Sequence, residues 1–156
     1  MNKLIALITA ALLSACASQP AKISQTASGW PEIEISVSDK KVVKDYIVLK
    51  NSEAGWNMEQ ESDSMVTFSK VDSSGSFNAA FTQVALGNAY STPPKYEVKY
   101  FINQLAGRVK VVSNIAVSTQ MPGGQVNRVF LNENNAVYNA YQDQLLRFKQ
   151  GIEKSR

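Results

Sequence analysis

Residues 93–120, PPKYEVKYFINQLAGRVKVVSNIAVSTQ, alternate apolar and polar side chains in two long runs separated by Ala106-Gly107. In the first run Tyr96, Val98, Tyr100 and Ile102 fall on one side, and Glu97, Lys99, Phe101 and Asn103 on the other. The second run, Val109 to Thr119, alternates in the same way. A period of two sends successive side chains to opposite faces of a strand, so the two runs predict an antiparallel hairpin. Met121-Pro122-Gly123-Gly124 then turns the chain into a third run, Val126 to Leu131. Three neighbouring antiparallel strands with one apolar face form a sheet that must be covered.

The cover is predicted at the C terminus. Asn132, Asn134 and Asn135 supply capping side chains, and Val137, Tyr141, Leu145, Phe148 and Ile152 recur every three or four residues after them. A helix of about twenty residues reaches some 30 Å, enough to cross a sheet. Upstream, Glu32 to Val37 alternates with Ile33, Ile35 and Val37 on one side, the pattern of a half-buried strand. Ser38 or Asp39 can then cap an amphipathic helix in which Val42, Tyr46 and Leu49 follow at helical spacing, joined by Val43 and Ile47. Lys40, Lys41, Lys44 and Lys50 flank it. Such a helix suits either a membrane surface or, more commonly, the protein's own sheet. Gly55 stands where a left-handed terminus is cheap. Trp56 to Glu61 and Met65 to Val71 read as a hairpin around Ser62-Asp63-Ser64. Phe77 to Leu86 fits both helical and strand spacing and is read as a short helix ending at Gly87. The predicted class is α+β: an antiparallel sheet packed against a long C-terminal helix and a shorter N-terminal helix.

This order of elements resembles the helix-grip folds, in which a curved antiparallel sheet wraps one long helix. More narrowly, the helix, Gly55-Trp56 and hairpin segment is similar to the BamC-like domains of Gram-negative envelope lipoproteins. The likeness covers most of the chain that would remain after removal of residues 1–15 and rests on layout, with no long shared motif. It implies a fold, and fold alone does not license function.

The N terminus carries an address. Met1 to Cys16, MNKLIALITAALLSAC, has one cation at Lys3, an apolar run from Leu4 to Leu13, and small residues ending at the single cysteine. About ten apolar residues is half of what a spanning helix needs, so the segment reads as a secretory signal. Leu13-Ser14-Ala15-Cys16 resembles the lipobox of bacterial lipoproteins. The resemblance implies cleavage before Cys16, acylation of its thiol and new amino group, and, with Ala17 rather than an aspartate following, delivery to the outer membrane on its periplasmic face. The other reading is an ordinary thiol after a general cleavage site at Ala15, but an unpaired exported thiol is a reactive liability. The expected organisation is a signal over 1–15, a flexible tether over 16–29 low in large apolar residues, and one α+β domain over 30–156.

Charge and side-chain chemistry bound the function. The chain is formally +3, and loss of Lys3 with the signal leaves +2, too mild an excess to argue for nucleic acid. The balance is uneven. Residues 30–72 carry nine acids against five bases, whereas 73–131 carry Lys95, Lys99, Arg108, Lys110 and Arg128 against Glu97 alone. Either these charges pair across the fold, or the five bases form a surface for an acidic partner or lipid phosphates. The absence of histidine removes the commonest general base and metal ligand, and acylation of Cys16 would remove thiol chemistry. Glu59, Glu61 and Asp63 offer carboxylates for a cation, but their spacing equally suits a strand and an exposed turn. The tyrosines, Tyr90, Tyr96, Tyr100, Tyr138 and Tyr141 among them, either line a pocket or fill the core. No cofactor, metal or catalytic residue is expected. The sequence therefore reads as a non-enzymatic, membrane-anchored protein-binding subunit that meets an envelope partner through the five bases. The alternatives are a carrier of a hydrophobic small molecule between sheet and C-terminal helix, and an enzyme using carboxylates or a lysine.

Overall fold

In the computed structural model, residues 26–74, 82, 85–88 and 90–155 are described. The signal segment 1–15, Cys16 and the tether up to residue 25 lie outside the described residues. Six strands and two long helices are found within them: β1 (Glu32–Ile35), α1 (Lys40–Glu53), β2 (Asn57–Glu61), β3 (Met65–Val71), β4 (Lys95–Leu105), β5 (Arg108–Gln120), β6 (Val126–Phe130) and α2 (Asn135–Lys154). This is the predicted α+β arrangement. Most of the ambiguous stretch 77–86 lies outside the described residues, and Thr82, Ala85 and Leu86 within it are helical.

The strands form one antiparallel sheet in the order β1-β5-β4-β3-β2, with β6 on the same edge of β5 as β1. β4 and β5 pair along their full length, from Leu105↔Arg108 to Lys95↔Ser118. On the other edge of β5, β1 takes Val109 to Val112 and β6 takes Ala116 to Gln120. The two short strands meet end to end. Ser113 N–H donates to the Pro31 carbonyl, Leu131 N–H donates to the Ile115 carbonyl, and Trp30 stacks edge-on against Phe130 at 5.8 Å. At the far side, Glu59 is an extra residue in β2 that interrupts its register with β3.

Both helices lie on the sheet face that carries the expected alternation. Val98, Tyr100, Ile102, Val109, Val111, Ile115, Val66 and Phe68 are buried there with Leu145, Phe148 and Ile152 of α2. The buried side of α1 is rotated from the expected one: Val43, Ile47 and Asn51 are buried, while Val42 and Leu49 are half exposed. The reason is Asn51. Its side chain donates to the Ile47 carbonyl at 2.8 Å and accepts from the Tyr100 hydroxyl at 3.4 Å, which satisfies a polar group in the core. Gly55, with φ +75°, ends the helix as expected and lets Trp56 N–H return to the Asn51 carbonyl.

α2 seals the free edge of β1. The Gln142 amide both accepts from Glu32 N–H and donates to the Glu32 carbonyl, each at 3.0 Å, as a neighbouring strand would. Glu153 accepts from Ser36 N–H at 2.9 Å. Asn134 is the N-cap, accepting from Ala136 and Val137 N–H. The domain also begins earlier than expected. Thr26 hydrogen-bonds the Trp30 carbonyl and receives the Tyr138 hydroxyl at 3.2 Å, so residues 26–29 dock onto the fold.

Where the helices touch, Tyr46 lies across Gly151 and stacks edge-on against Phe148 at 6.0 Å. A methyl group at residue 151 would sit 2.7 Å from Tyr46 Cζ. Helix propensity alone makes Gly151→Ala stabilising by about 1 kcal/mol. The contact reverses the sign, and the variant is expected to lose about 1–3 kcal/mol, read as a lower midpoint in chemical denaturation.

Candidate functional site

The helices leave one end of the sheet face open. Residues in register across it are Lys70↔Tyr96, Tyr96↔Val117 and Val117↔Val129, a straight row from β3 to β6 on the face that α2 covers elsewhere. Because α2 is drawn towards β1 by Gln142 and towards α1 at Gly151, its first turns stand away from this row. Val137 and Tyr141, expected as core, are only partly buried. Between them and the sheet is an apolar cleft of about 370 Å³ lined by Trp56, Val71, Tyr96, Ile115, Leu131 and Tyr141, with Lys70 and Asp72 at its wall. A second space of about 270 Å³ shares Tyr96, Leu131 and Val137 with it and continues to Val117, Val129, Ala85 and Leu86. Asn127 ties this end down by donating to the Leu86 carbonyl.

Polar groups are few and concentrated at the β3 end. Burial pushes the Tyr141 phenol up to about 12, and the neighbouring Tyr96 phenol adds to the shift. Tyr141 is therefore a hydrogen-bond donor at neutral pH. Among the described residues neither the Tyr96 nor the Tyr141 hydroxyl has a hydrogen-bond partner. Lys70 Nζ donates to the Ala54 carbonyl at 3.1 Å, at the C-terminal end of α1, and meets no carboxylate among the described residues. Asp72 is turned aside: it accepts from Ser74 N–H and from the Ser74 hydroxyl at 2.6 Å, which lowers its pKa.

The five bases expected at a partner surface are mostly matched by acids of the same chain. Lys95 pairs with Glu59 at 3.0 Å, Arg108 with Glu34 at 3.0 Å, Lys110 with Glu32 at 3.1 Å, and Arg128 with Glu97. These pairs sit on the sheet face opposite the cleft, and three of them join the acidic first half of the domain to the basic second half. Lys99 forms no ion pair among the described residues. The three carboxylates considered for a cation go to separate partners: Glu59 to Ser69 and Lys95, Glu61 to Lys44, and Asp63 to Lys40. The hydrogen bond from the Ser69 hydroxyl, together with the hydrogen bond and charge of Lys95, lowers the Glu59 pKa. Among the described residues no three acidic, histidine or cysteine side chains converge as a metal site would require.

Tyrosine does both things foreseen for it. Tyr100 and Tyr138 are buried, Tyr96 and Tyr141 line the cleft, and Tyr90 is 85% exposed. Lys70, Trp56 and Leu131 were not foreseen as site residues. The signal for Lys70 was present, since Val66, Phe68 and Lys70 share one face of β3 and a lysine breaks an otherwise apolar row. Comparison with protein families, curated proteins and solved structures returns no match.

The buried phenol has a measurable consequence at high pH. Its pKa is higher folded than the usual 10, so the stability it contributes is complete below pH 10 and is lost as pH rises towards 12. Phenolate absorbance of the folded protein should show a late step near 12 that Tyr141→Phe removes. If the variant leaves the absorbance titration unchanged above pH 11, the phenol is not sequestered.

Proposed function

We propose that this chain is a lipid-anchored, non-enzymatic envelope protein whose domain holds a hydrophobic small molecule in the cleft between the sheet and α2. The observation that carries the reading is the cleft itself. At about 370 Å³, with an adjoining 270 Å³, its size falls in the range of small-molecule sites, and its lining is apolar with few polar groups at one end. The self-paired charges support it further, because four of the five bases already face acids and compete poorly for an acidic partner. Anchoring through Cys16 rests on Leu13-Ser14-Ala15-Cys16. Ten Cα–Cα steps lead from Cys16 to Thr26, a reach of at most about 35 Å, so an acylated Cys16 would keep the domain near a membrane that could supply an apolar ligand.

A protein-binding accessory role draws on a different observation. At the sheet edge, β6 leaves Val126 59% and Phe130 51% exposed, and its outer edge pairs with no strand among the described residues. Such an edge suits an added strand. The cleft is the better supported site because it is concave and has donors without partners.

One experiment separates these readings. An environment-sensitive apolar dye should bind the domain with a change in Trp56 fluorescence, and Val137→Arg, which places a charge in the mouth, should weaken dye binding at least tenfold without lowering thermal stability much. Dye binding that is indifferent to Val137→Arg but lost on Phe130→Arg would favour the β6 edge. Separately, Cys16→Ser should abolish incorporation of a palmitate analogue and release the protein from the membrane fraction.

A further inference from the structure

Resting on the reading of the cleft as a ligand site, we infer that its ligand is a single-chain amphiphile with an anionic oxygen headgroup, held with the head at Lys70, Tyr96 and Tyr141 and the chain lying towards Val129. The direction follows from the register. Lys70, Tyr96, Val117 and Val129 stand opposite one another on four successive strands, so the floor spans about 14 Å, three strand spacings of about 4.8 Å. Polarity falls in one sense along that line. The β3 end offers an ammonium and two phenols, and the β6 end, beyond Tyr96, offers Val117, Val129, Leu131, Ala85 and Leu86, with Thr82 the one polar side chain among the described residues there.

Among the described residues the donors at the β3 end are only partly used. The two phenols have no partner among the described residues, and Lys70 spends one of its three N–H groups on the Ala54 carbonyl. A carboxylate or phosphate supplies several acceptors to such a cluster and brings the compensating charge. A cationic head would meet Lys70 directly. Asp72, the nearest carboxylate in the wall, is already occupied by both Ser74 donors. At about 370 Å³ the cleft is near the lower limit for small-molecule sites, a size that suits one chain.

The test uses the full chain carrying Cys16→Ser, which removes the acylated thiol, and Trp30→Phe, which preserves the ring against Phe130 and leaves Trp56 as the reporting indole. Decanoate, decyl phosphate, decanol and decylamine are titrated in turn. The two anions should bind at least tenfold more tightly than decanol, the size of one charge-assisted hydrogen bond, and decylamine should bind least. Lys70→Met should reduce the anions to the affinity of decanol while decanol itself is unchanged, and Lys70→Arg should restore the preference. Equal binding of anions and decanol by the unsubstituted site would overturn the headgroup assignment and leave the cleft reading standing. Preference for decylamine would overturn it in favour of Asp72, and a loss of decanol binding in Lys70→Met would show the lysine to be structural. Failure of all four compounds to bind would overturn the cleft reading and this inference with it.

Discussion

The backbone pairing of β5 is the constraint on which the other parts depend. Its 13 residues hold β4 along one edge and both β1 and β6 along the other, so the first strand of the domain and the last are brought onto one edge of the same strand. Because side chains alternate, this one register decides at once which residues enter the core and which face solvent. It also decides where β1 begins. Beyond Val112 the edge passes through the Trp30 and Phe130 junction to β6, and α2, fastened along β1 by Gln142 and Glu153, is held at the β1 end of the sheet. The cleft is what remains at the other end.

The same register separates the two sheet faces by chemistry. One face carries the core and then, across the cleft from Val137 and Tyr141, the row from Lys70 to Val129. The other carries Glu34 with Arg108, Glu32 with Lys110, Glu97 with Arg128, and Glu59 with Lys95. Pairs this exposed contribute little each to stability. Their effect is to leave that face nearly neutral despite the marked segregation of charge along the chain.

Much of the fold could be read from the sequence because its strands obey strict alternation. Val98, Tyr100 and Ile102 are buried and Glu97 and Lys99 lie opposite, as their spacing required. Capping was equally legible at Asp39 and Asn134, where a short polar side chain precedes an apolar-periodic run. Periodicity failed where two stripes on one helix were both apolar. Val42, Tyr46 and Leu49 competed with Val43 and Ile47, and the choice fell to Asn51, whose partner Tyr100 is 49 residues away. The site was legible only in part for a related reason. Val137 and Tyr141 belong to the same stripe as Leu145 and Phe148, and nothing in that stripe tells where a helix leaves its sheet. The long-range contacts that α2 makes, at Gln142 with β1 and at Gly151 with α1, are not written in that stripe. The charge asymmetry was plain in the sequence, but its pairing depended on which strands became neighbours.

The most direct measurement of the central claim is backbone amide chemical-shift mapping of the full Cys16→Ser chain during titration with a soluble apolar ligand. Occupation of the cleft predicts the largest shifts at Lys70, Tyr96, Val117, Val129, Val137 and Tyr141, with the ion-paired face at Lys95, Lys110 and Arg128 quiet. Shifts confined to that charged face or to the outer edge of β6, with the cleft residues unmoved, would contradict it.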